Sequence, residues 1–239
     1  ACADSVGGSS KEIIDAACAL ELVHVFSLIH DDLPAIDNDA LRRGRPTCHI
    51  EFGEATAILA GDALFALAFE WVSSLGIDPA RVVRAVQVLA MASGSNGLVA
   101  GEIVDVLTEG QTYDDATLEF IHSRKTGALI AASCEIGALL GGADAPTVEA
   151  YRTYGVHLGL AFQIADDILN ETGVEADLGK ASGTDRDRGK ATYPHLHGLD
   201  GARIAAANAV HRAKLALPTT ALQRDFLIAL ADYTVTRKS

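Results

Sequence analysis

The chain has 239 residues, of which 49% are hydrophobic and 5% aromatic, and its formal net charge is −13. This length allows one large domain with a sizeable core. The negative charge argues against nucleic-acid binding, because a phosphate backbone requires clustered lysines and arginines. The composition, rich in Ala and Leu with only six prolines, favours helices over sheet. An acidic protein still binds anionic substrates where divalent cations lie between its carboxylates and the phosphates.

Cysteine usage and the lengths of the apolar runs bear on the compartment. The four cysteines, Cys2, Cys18, Cys48 and Cys134, form no CxxC pair, which fits a reducing cytosol better than a disulfide framework. No signal peptide is recognisable. The apolar runs are broken by charge or Gly well short of the ~20 residues that a membrane span requires. The sequence therefore predicts a soluble, cytoplasmic protein without a membrane span.

Helical patterns account for most of the chain. The first, from Lys11 to Asp32, is apolar nearly all round, as is typical of a buried helix. A polar segment with two prolines and a glycine follows it. Further helices are predicted at Glu54–Leu75, Pro79–Ala92, Gly97–Thr108, Asp114–Gly141 and Thr147–Thr172, with two more from about Gly201 and about Thr220. No shift in composition marks a boundary, so one all-α domain over residues 1–239 is the simplest prediction.

The first buried helix ends in two aspartates, Asp31 and Asp32, and a third follows at Asp37. Buried carboxylates are costly unless something compensates their charge. Pro34 interrupts the helix, so Asp37 is able to turn back towards Asp31. Clustered carboxylates suit magnesium, which takes one or two of them and completes its shell with water and substrate phosphate. The alternative is that the aspartates end the helix and face solvent, which is the usual reading of an isolated pair.

A second acidic motif lies near the end of the helix predicted at Thr147–Thr172. Its oxygen-bearing side chains are spaced i, i+3, i+4 and i+7 and therefore share one face: Gln163, Asp166, Asp167 and Asn170. Such a stripe on an otherwise apolar helix is difficult to explain by packing, although a solvated face is an alternative for this motif alone. Two such motifs on separate buried helices favour a metal-binding role for both.

Basic residues accompany both motifs. Arg42 and Arg43 closely follow the first one, Lys180 and Lys190 lie in the loop after the second one, and Lys125 precedes Thr126 in mid-chain. A diphosphate requires such cations as well as metals to neutralise its charge. Each of these side chains, taken singly, is more simply explained as a solvated surface residue.

Together these residues resemble the trans-isoprenyl diphosphate synthases, especially the bacterial farnesyl and geranylgeranyl diphosphate synthases. The motifs that carry the resemblance are SLIHDDLPAIDNDALRRGRPTCH, FGEATAILAGDAL, RKTGALI, GLAFQIADDIL and LGKASGTDRDRGKATYP. They stand in the family's order and cover essentially the whole chain, down to the terminal ALADYTVTR. The resemblance implies a single α-helical bundle, a homodimer, and two aspartate motifs that face each other across a deep central cavity.

The resemblance also implies a role for each candidate residue. The ligands of three magnesium ions, with manganese as a substitute, would be Asp31, Asp37 and Asp166, supported by Asp32, Asp167 and Asn170. The allylic diphosphate would be held by Arg42, Lys125, Gln163, Lys180 and Lys190. Arg43 would contact isopentenyl diphosphate, and Thr126 with Gln163 would stabilise the cation at the reacting carbons. The residues expected to take part in catalysis are Asp31, Asp32, Asp37, Lys125, Thr126 and Asp166.

Two features depart from the family pattern. Asn170 stands where the family has a third aspartate, which keeps an oxygen donor, loses a charge and predicts weaker metal affinity. The family also carries an upstream segment, with a Gly-Gly-Lys-Arg type motif, that binds isopentenyl diphosphate. The residues ACADSVGG resemble those that follow this motif, so the sequence is expected to begin after it.

The implied reaction is ionisation of an allylic diphosphate, such as dimethylallyl or geranyl diphosphate. Attack by isopentenyl diphosphate follows, and then loss of a proton, with the released diphosphate as the base. The expected product is farnesyl diphosphate, with geranylgeranyl diphosphate as the alternative. Ser27 lies nearly under Asp31, and Phe26 lies five residues of helix, about 7.5 Å, before it. The Phe26 ring is therefore expected to block the growing chain, unless it only packs in the core.

Two other functions share parts of the pattern. A catalytically weak regulatory subunit of a heteromeric prenyltransferase is disfavoured, because the aspartates of the first motif and the basic residues are intact. A terpene cyclase shares the fold and the metal requirement. It is disfavoured because the Arg-Arg-Gly element and the loop with Lys180 and Lys190 belong to the chain-elongating pattern.

Overall fold

The computed structural model describes residues 1–172 and 189–237 of the chain. In these two ranges the regular secondary structure is helical apart from one short hairpin, which confirms the all-α prediction. The helices are α1 (Cys2–Ser5), α2 (Ile14–Asp31), α3 (Cys48–Phe52), α4 (Glu54–Ser73), α5 (Pro79–Ser93), α6 (Leu98–Thr108), α7 (Asp115–Ile121), a π-helix (His122–Thr126), α8 (Gly127–Leu140), α9 (Ala145–Thr172), α10 (Tyr193–Ala216) and α11 (Arg224–Thr236).

The helices pack around two apolar clusters. Helix α2 packs against α4, and α5 and α8 complete that half of the core around buried side chains such as Val23, Leu89 and Ile136. Helix α9 packs against both α8 and α10, and its buried Tyr154 lies in a second cluster with Leu227 of α11. Burial of apolar surface is the main favourable contribution to such packing. The long helices α2 and α9, which carry the two aspartate motifs, are thereby fixed in position.

The segment predicted as one helix from Asp114 to Gly141 contains a local change of helix type. Asp114, the first residue of the predicted range, caps α7 by accepting a hydrogen bond of 2.9 Å from the backbone N–H of Thr117. Residues His122–Thr126 then form a π-helix before α8 begins at Gly127. Single π turns within α-helices are frequent at functional sites.

A short hairpin with a two-residue turn follows the first aspartate motif. Strands β1 (Leu41–Arg42) and β2 (Arg45–Pro46) are antiparallel, and Arg42 is opposite Arg45. The two turn residues, Arg43 and Gly44, have φ angles of 51° and 73°. A type I′ turn requires positive φ at both central positions, a conformation that glycine adopts readily. The hairpin fixes the direction of the Arg42 side chain.

Two stretches, Glu54–Ser73 and Pro79–Thr108, are long and apolar enough to cross a membrane by length and composition alone. They are longer than the apolar runs expected from the sequence. Core helices of soluble proteins satisfy the same criterion, and the second stretch is divided between the end of α5 at Ser93 and the start of α6 at Leu98. The four cysteines carry free thiols.

Candidate active site

A cavity of about 1110 Å³ lies between α2, the hairpin, α6, the π-helix, α9 and the residues just before α10. The sequence-predicted residues that line it are Ser27, Asp31, Asp37, Arg42, Arg43, Lys125, Thr126, Gln163, Asp166, Asp167 and Lys190. Residues from distant parts of the chain thus converge on one space. Lys180 lies outside the described residues.

The first aspartate motif reverses direction after α2 ends. The backbone N–H of Asp37 donates a hydrogen bond of 2.9 Å to the carbonyl of Asp31, which is the reversal predicted from Pro34. The buried Oδ1 of Asp31 accepts no hydrogen bond within residues 1–172 and 189–237. It lies 3.5 Å from Nζ of Lys125. A buried carboxylate oxygen with only this long ionic contact is an available ligand for a cation.

Asp32 faces Arg42 instead of the cavity. Arg42 Nε lies 3.0 and 2.9 Å from the two carboxylate oxygens of Asp32, and Arg42 Nη2 lies 2.7 Å from Oδ1. Burial raises the pKa of Asp32, and the hydrogen bonds from Arg42 oppose this shift. Arg42 Nη2 also lies 3.5 Å from Oδ2 of Asp31. Asp32 therefore holds the guanidinium beside Asp31, where Arg42 also lines the cavity.

Lys125 lies among three carboxylates, two of which the sequence analysis did not identify. Its Nζ is 2.7 Å from Oδ2 of Asp105 and 2.9 Å from Oε2 of Glu102, both on α6. Burial alone would lower the pKa of Lys125, but the carboxylates of Asp31, Asp105 and Glu102 together raise it. Burial raises the pKa of Glu102 to about 7, against the opposing effect of Lys125. The sequence signal that could have identified Glu102 and Asp105 was their i, i+3 spacing in an otherwise apolar helix.

Lys190 connects the far side of the cavity to the first motif. Its Nζ donates hydrogen bonds of 2.8 and 2.9 Å to the carboxylate oxygens of Asp37, and it lies 3.8 Å from Oδ2 of Asp105. The pKa of Lys190 is raised, because its carboxylate neighbours outweigh the effects of burial and of Lys125. The carboxylates of the first motif thus face cations that a diphosphate would also attract.

A chain of hydrogen bonds joins the π-helix to the second aspartate motif. Thr126 Oγ1 donates to Oε1 of Gln163 over 2.7 Å, and Gln163 Nε2 donates to Oδ1 of Asp167 over 3.1 Å. The other oxygen of Asp167 accepts a hydrogen bond of 2.9 Å from the backbone N–H of Tyr193. Asp167 is therefore engaged within the protein, whereas the Asp166 carboxylate is 54% exposed and pairs with Arg237. Sequence reasoning did not identify Arg237.

His122 is a further residue that the sequence analysis missed. It is 3% exposed, and its Nε2 lies 3.4 Å from Oδ2 of Asp167. Burial lowers the pKa of His122 to about 3, so the imidazole is neutral at pH 7. Its ring stacks on that of Tyr193 at 5.4 Å. The His-Ser-Arg-Lys-Thr segment of the π-helix thus contributes His122 as well as Lys125 and Thr126 to the cavity.

Three of the predicted site residues lie at the rim of the cavity or outside its lining. Arg43 is exposed at the hairpin turn on the rim of the cavity. Asn170 is 7% exposed and does not line the cavity. The ring of Phe26 packs at 4.8 Å against Phe65 of α4 and is also absent from the lining, because it points towards the core between α2 and α4. This packing does not indicate that the Phe26 ring blocks the growing chain directly. The effect of Phe26 on the length of the product stays a prediction.

Carboxylate oxygens are the donor atoms that the cavity offers to a divalent cation. Within the two described ranges, no three His, Cys, Asp or Glu side chains converge closely enough to ligate one ion by themselves. Magnesium requires fewer protein ligands, since it takes one or two carboxylates with water and phosphate. The buried Oδ1 of Asp31 and the exposed carboxylate of Asp166 border the same cavity. These residues fit magnesium that is bound together with a diphosphate.

The sequence matches a protein family and is similar to known proteins. The family model described as polyprenyl synthetase matches residues 1–216. The chain is 46% identical over 237 residues to a chloroplastic geranylgeranyl pyrophosphate synthase of Capsicum annuum, a match that covers 98% of this chain and 64% of that protein. It is 49% identical over 193 residues to the farnesyl diphosphate synthase of Geobacillus stearothermophilus, covering 80% of this chain and 65% of that one. The chain thus spans slightly less than two thirds of the length of these relatives.

The fold is also similar to that of solved structures. A geranyltransferase of Helicobacter pylori, solved in complex with magnesium and isoprenyl diphosphate, superposes with a TM-score of 0.82 at 32% sequence identity. This match covers 94% of the present chain and 74% of the other. The similarity therefore extends over the whole arrangement of helices around the cavity.

Proposed function

Because the chain belongs to the polyprenyl synthetase family, we propose that it is a trans-prenyltransferase that condenses isopentenyl diphosphate with an allylic diphosphate. The observation that carries the proposal is the pairing of the Asp31 and Asp37 carboxylates with Lys125 and Lys190 around one cavity. An arrangement of carboxylates and lysines favours a ligand made of divalent cations and a diphosphate, because each partner finds its opposite charge there.

The residues of the cavity would act mainly by positioning and electrostatics. Arg42, Lys125 and Lys190 would bind the allylic diphosphate and stabilise the charge that develops as the carbon–oxygen bond breaks. Magnesium ions, three in number and held by Asp31, Asp37 and Asp166, would supply further positive charge to the leaving diphosphate when they are bound. Lys180, outside the described residues, stays a candidate ligand of the same diphosphate.

The apolar part of the cavity would hold the allylic chain away from water. The carbonyl oxygen of the Gln163 amide accepts a hydrogen bond from Thr126, so the two side chains are oriented together. They would lie beside the reacting carbons and stabilise the allylic cation. The double bond of isopentenyl diphosphate would attack the allylic cation, and the released diphosphate would take the proton. Because the geometry of the reactants is fixed before reaction, no covalent nucleophile is required.

We propose farnesyl diphosphate as the product, with geranylgeranyl diphosphate as the alternative. One of the relatives above is named a geranylgeranyl pyrophosphate synthase and the other a farnesyl diphosphate synthase. Which of the two products forms would depend on the depth of the cavity below Asp31. Arg43, at the rim, would contact the diphosphate of isopentenyl diphosphate. We also propose that the protein acts in the cytoplasm.

A homodimer is proposed on the basis of an exposed apolar face. Helix α6 exposes Val99, Ile103, Val106 and Leu107, whose i, i+4, i+7 and i+8 spacing places them on one side of the helix. A face of this kind is a common feature of an interface. Sedimentation of the wild type and of Leu107→Glu would test this: we expect a dimer and a monomer, respectively, and a monomeric wild type would contradict the proposal.

The activity is tested directly with the full-length protein, magnesium, isopentenyl diphosphate and each allylic diphosphate in turn. We expect head-to-tail products of fifteen carbons that depend on magnesium. Cyclic hydrocarbons would indicate a terpene cyclase instead, and turnover only after addition of an active homologue would indicate a regulatory subunit.

A matched pair of variants connects the activity to the site. Asp31→Asn is expected to lower kcat about a hundredfold or more, comparable to the loss of one contact that stabilises transition-state charge. Its fold should be retained, since Asp105 and Glu102 remain to pair with Lys125. Asp15→Asn, an exposed change on the same helix, is the control and should behave as the wild type. Wild-type rates for Asp31→Asn at saturating magnesium would exclude Asp31 as a ligand.

A further inference from the structure

Lys190 lies in the short segment that leads into α10. Two side chains hold the backbone of this segment. The hydroxyl oxygen of Tyr113 accepts a hydrogen bond of 3.0 Å from the backbone N–H of Thr192, and Asp167 accepts one of 2.9 Å from the N–H of Tyr193. The Tyr113 hydroxyl in turn donates a longer hydrogen bond, of 3.5 Å, to the carbonyl of Lys190 itself. The Tyr113 hydroxyl therefore contacts the backbone at two points, the Lys190 carbonyl and the Thr192 N–H, both on the C-terminal side of the Lys190 Cα.

The ring of Tyr113 is held independently of its hydroxyl. It packs against an apolar cluster of Leu118 and Ile121 from α7 together with Ala191. These three side chains are at most 6% exposed. Because the cluster fixes the ring, the hydroxyl is presented to the 190–192 segment at a defined place. Removal of the hydroxyl alone should leave the ring where it is.

The Lys190 side chain links this anchored backbone to the first aspartate motif. From this backbone position its ammonium group reaches both carboxylate oxygens of Asp37 at 2.8 and 2.9 Å. Tyr113 does not line the cavity, whereas Lys190 and Asp37 do. Any effect of Tyr113 on a ligand in the cavity must therefore pass through the segment that it holds.

We propose that Tyr113 is a positioning residue that sets the Lys190 ammonium group against Asp37 and so fixes one cationic contact of the diphosphate. This inference rests on the proposed function, since it assumes that a diphosphate binds between Lys190 and the first motif. Nothing in the sequence motifs pointed to Tyr113, which lies in the loop between α6 and α7. Its role becomes visible only through the two hydrogen bonds to residues 77 and 79 positions away.

The test uses Tyr113→Phe in the full-length protein, with Tyr233→Phe on the exposed face of α11 as the control. The first readout is the affinity for geranyl S-thiolodiphosphate, an unreactive allylic analogue, measured by calorimetry with magnesium. We expect Tyr113→Phe to weaken binding about fivefold, as the loss of one hydrogen bond implies, and to raise the KM for geranyl diphosphate by a similar factor. The melting temperature and kcat should change little, and Tyr233→Phe should match the wild type.

A double-mutant cycle separates positioning of Lys190 from a general structural effect. If Tyr113 acts through Lys190, then Tyr113→Phe should have almost no effect on analogue binding in a Lys190→Met background. Equal fold-changes in the two backgrounds, or unchanged binding in Tyr113→Phe, would overturn the inference. An inactive wild type that does not bind the analogue would instead contradict the proposed function, so the two failures are distinguishable.

Discussion

The guanidinium of Arg237 donates a hydrogen bond of 2.8 Å from Nη2 to Oδ1 of Asp166, and it lies 4.2 Å from the centre of the Phe162 ring. Arg237 directly follows the last residue of α11, whereas Asp166 belongs to the second aspartate motif on α9. The end of the last helix therefore supplies a positive charge to the carboxylate that is proposed to bind a metal ion.

Arg237 is expected to compete with a divalent cation for Asp166. We predict that Arg237→Gln binds manganese more tightly than the wild type in the absence of substrate, by at most about fivefold, because partly exposed ion pairs contribute ~0.2–1 kcal/mol. The concentration of free manganese, measured by electron paramagnetic resonance, checks this. Arg237→Lys keeps the charge and is the control. Weaker manganese binding in Arg237→Gln would mean that Arg237 supports the metal site.

The close approach of α6 to the π-helix depends on a glycine. A Cβ atom at Gly101 would lie 2.1 Å from the backbone nitrogen of Lys125. We predict that Gly101→Ala lowers the free energy of unfolding by about 1–3 kcal/mol or more, since the backbone must shift, and that it lowers kcat by displacing Lys125. Gly76→Ala, where a Cβ would meet nothing within 4 Å, is the control. Equal thermal unfolding of the two variants would contradict this account of the contact.

The features that could be predicted from the sequence are mostly those that local interactions determine. The helices could be located because apolar spacing and the positions of Pro and Gly are local signals. The reversal from Asp31 to Asp37 was predictable in the same way, since Pro34 lies between them. The resemblance to a family then supplied the convergence of the two motifs, which spacing alone does not contain.

What the sequence did not predict depends on contacts between distant residues. Glu102 and Asp105 resemble a solvated acidic pair until Lys125, which is 23 and 20 residues away along the chain, is placed between them. The π-helix lies in a segment whose pattern continues as one helix, and its backbone approach to Gly101 is a tertiary contact. The same applies to Arg237, which is 71 residues from Asp166.

Asn170 provides a test of how charge in the second motif affects metal affinity. We predict that Asn170→Asp lowers the magnesium concentration required for half-maximal activity, because a carboxylate near hard cations strengthens their binding. The position is 7% exposed, so the added charge should also lower the melting temperature. Asn208→Asp, exposed on α10, is the control for added charge. An unchanged or higher magnesium requirement would place Asn170 outside the influence of the metal.

The length of the product should depend on the side chains of α2 below Asp31. Ser27 and His24 line the cavity, and Phe26 lies between them in sequence with its ring directed towards Phe65. One side of α2 therefore lines the space available to the growing prenyl chain, and another side packs in the core. Ser27→Phe adds a ring to the lining itself, and we predict that it shortens the main product to ten carbons, as determined by chromatography of the dephosphorylated alcohols.

Phe26→Ala tests whether the neighbouring ring also limits the chain. Its removal leaves a void between α2 and α4, next to the lining at Ser27, because packed cores relax only partly after such a truncation. We predict that the void admits the end of a longer chain and shifts the main product from fifteen to twenty carbons, with a lower melting temperature. Phe69→Ala, which removes a ring from the same aromatic cluster farther from Phe26, is the control and should lower stability without lengthening the product. If Phe26→Ala loses stability while the product remains unchanged, the ring only packs in the core, and the limit on chain length lies at the residues that line the cavity.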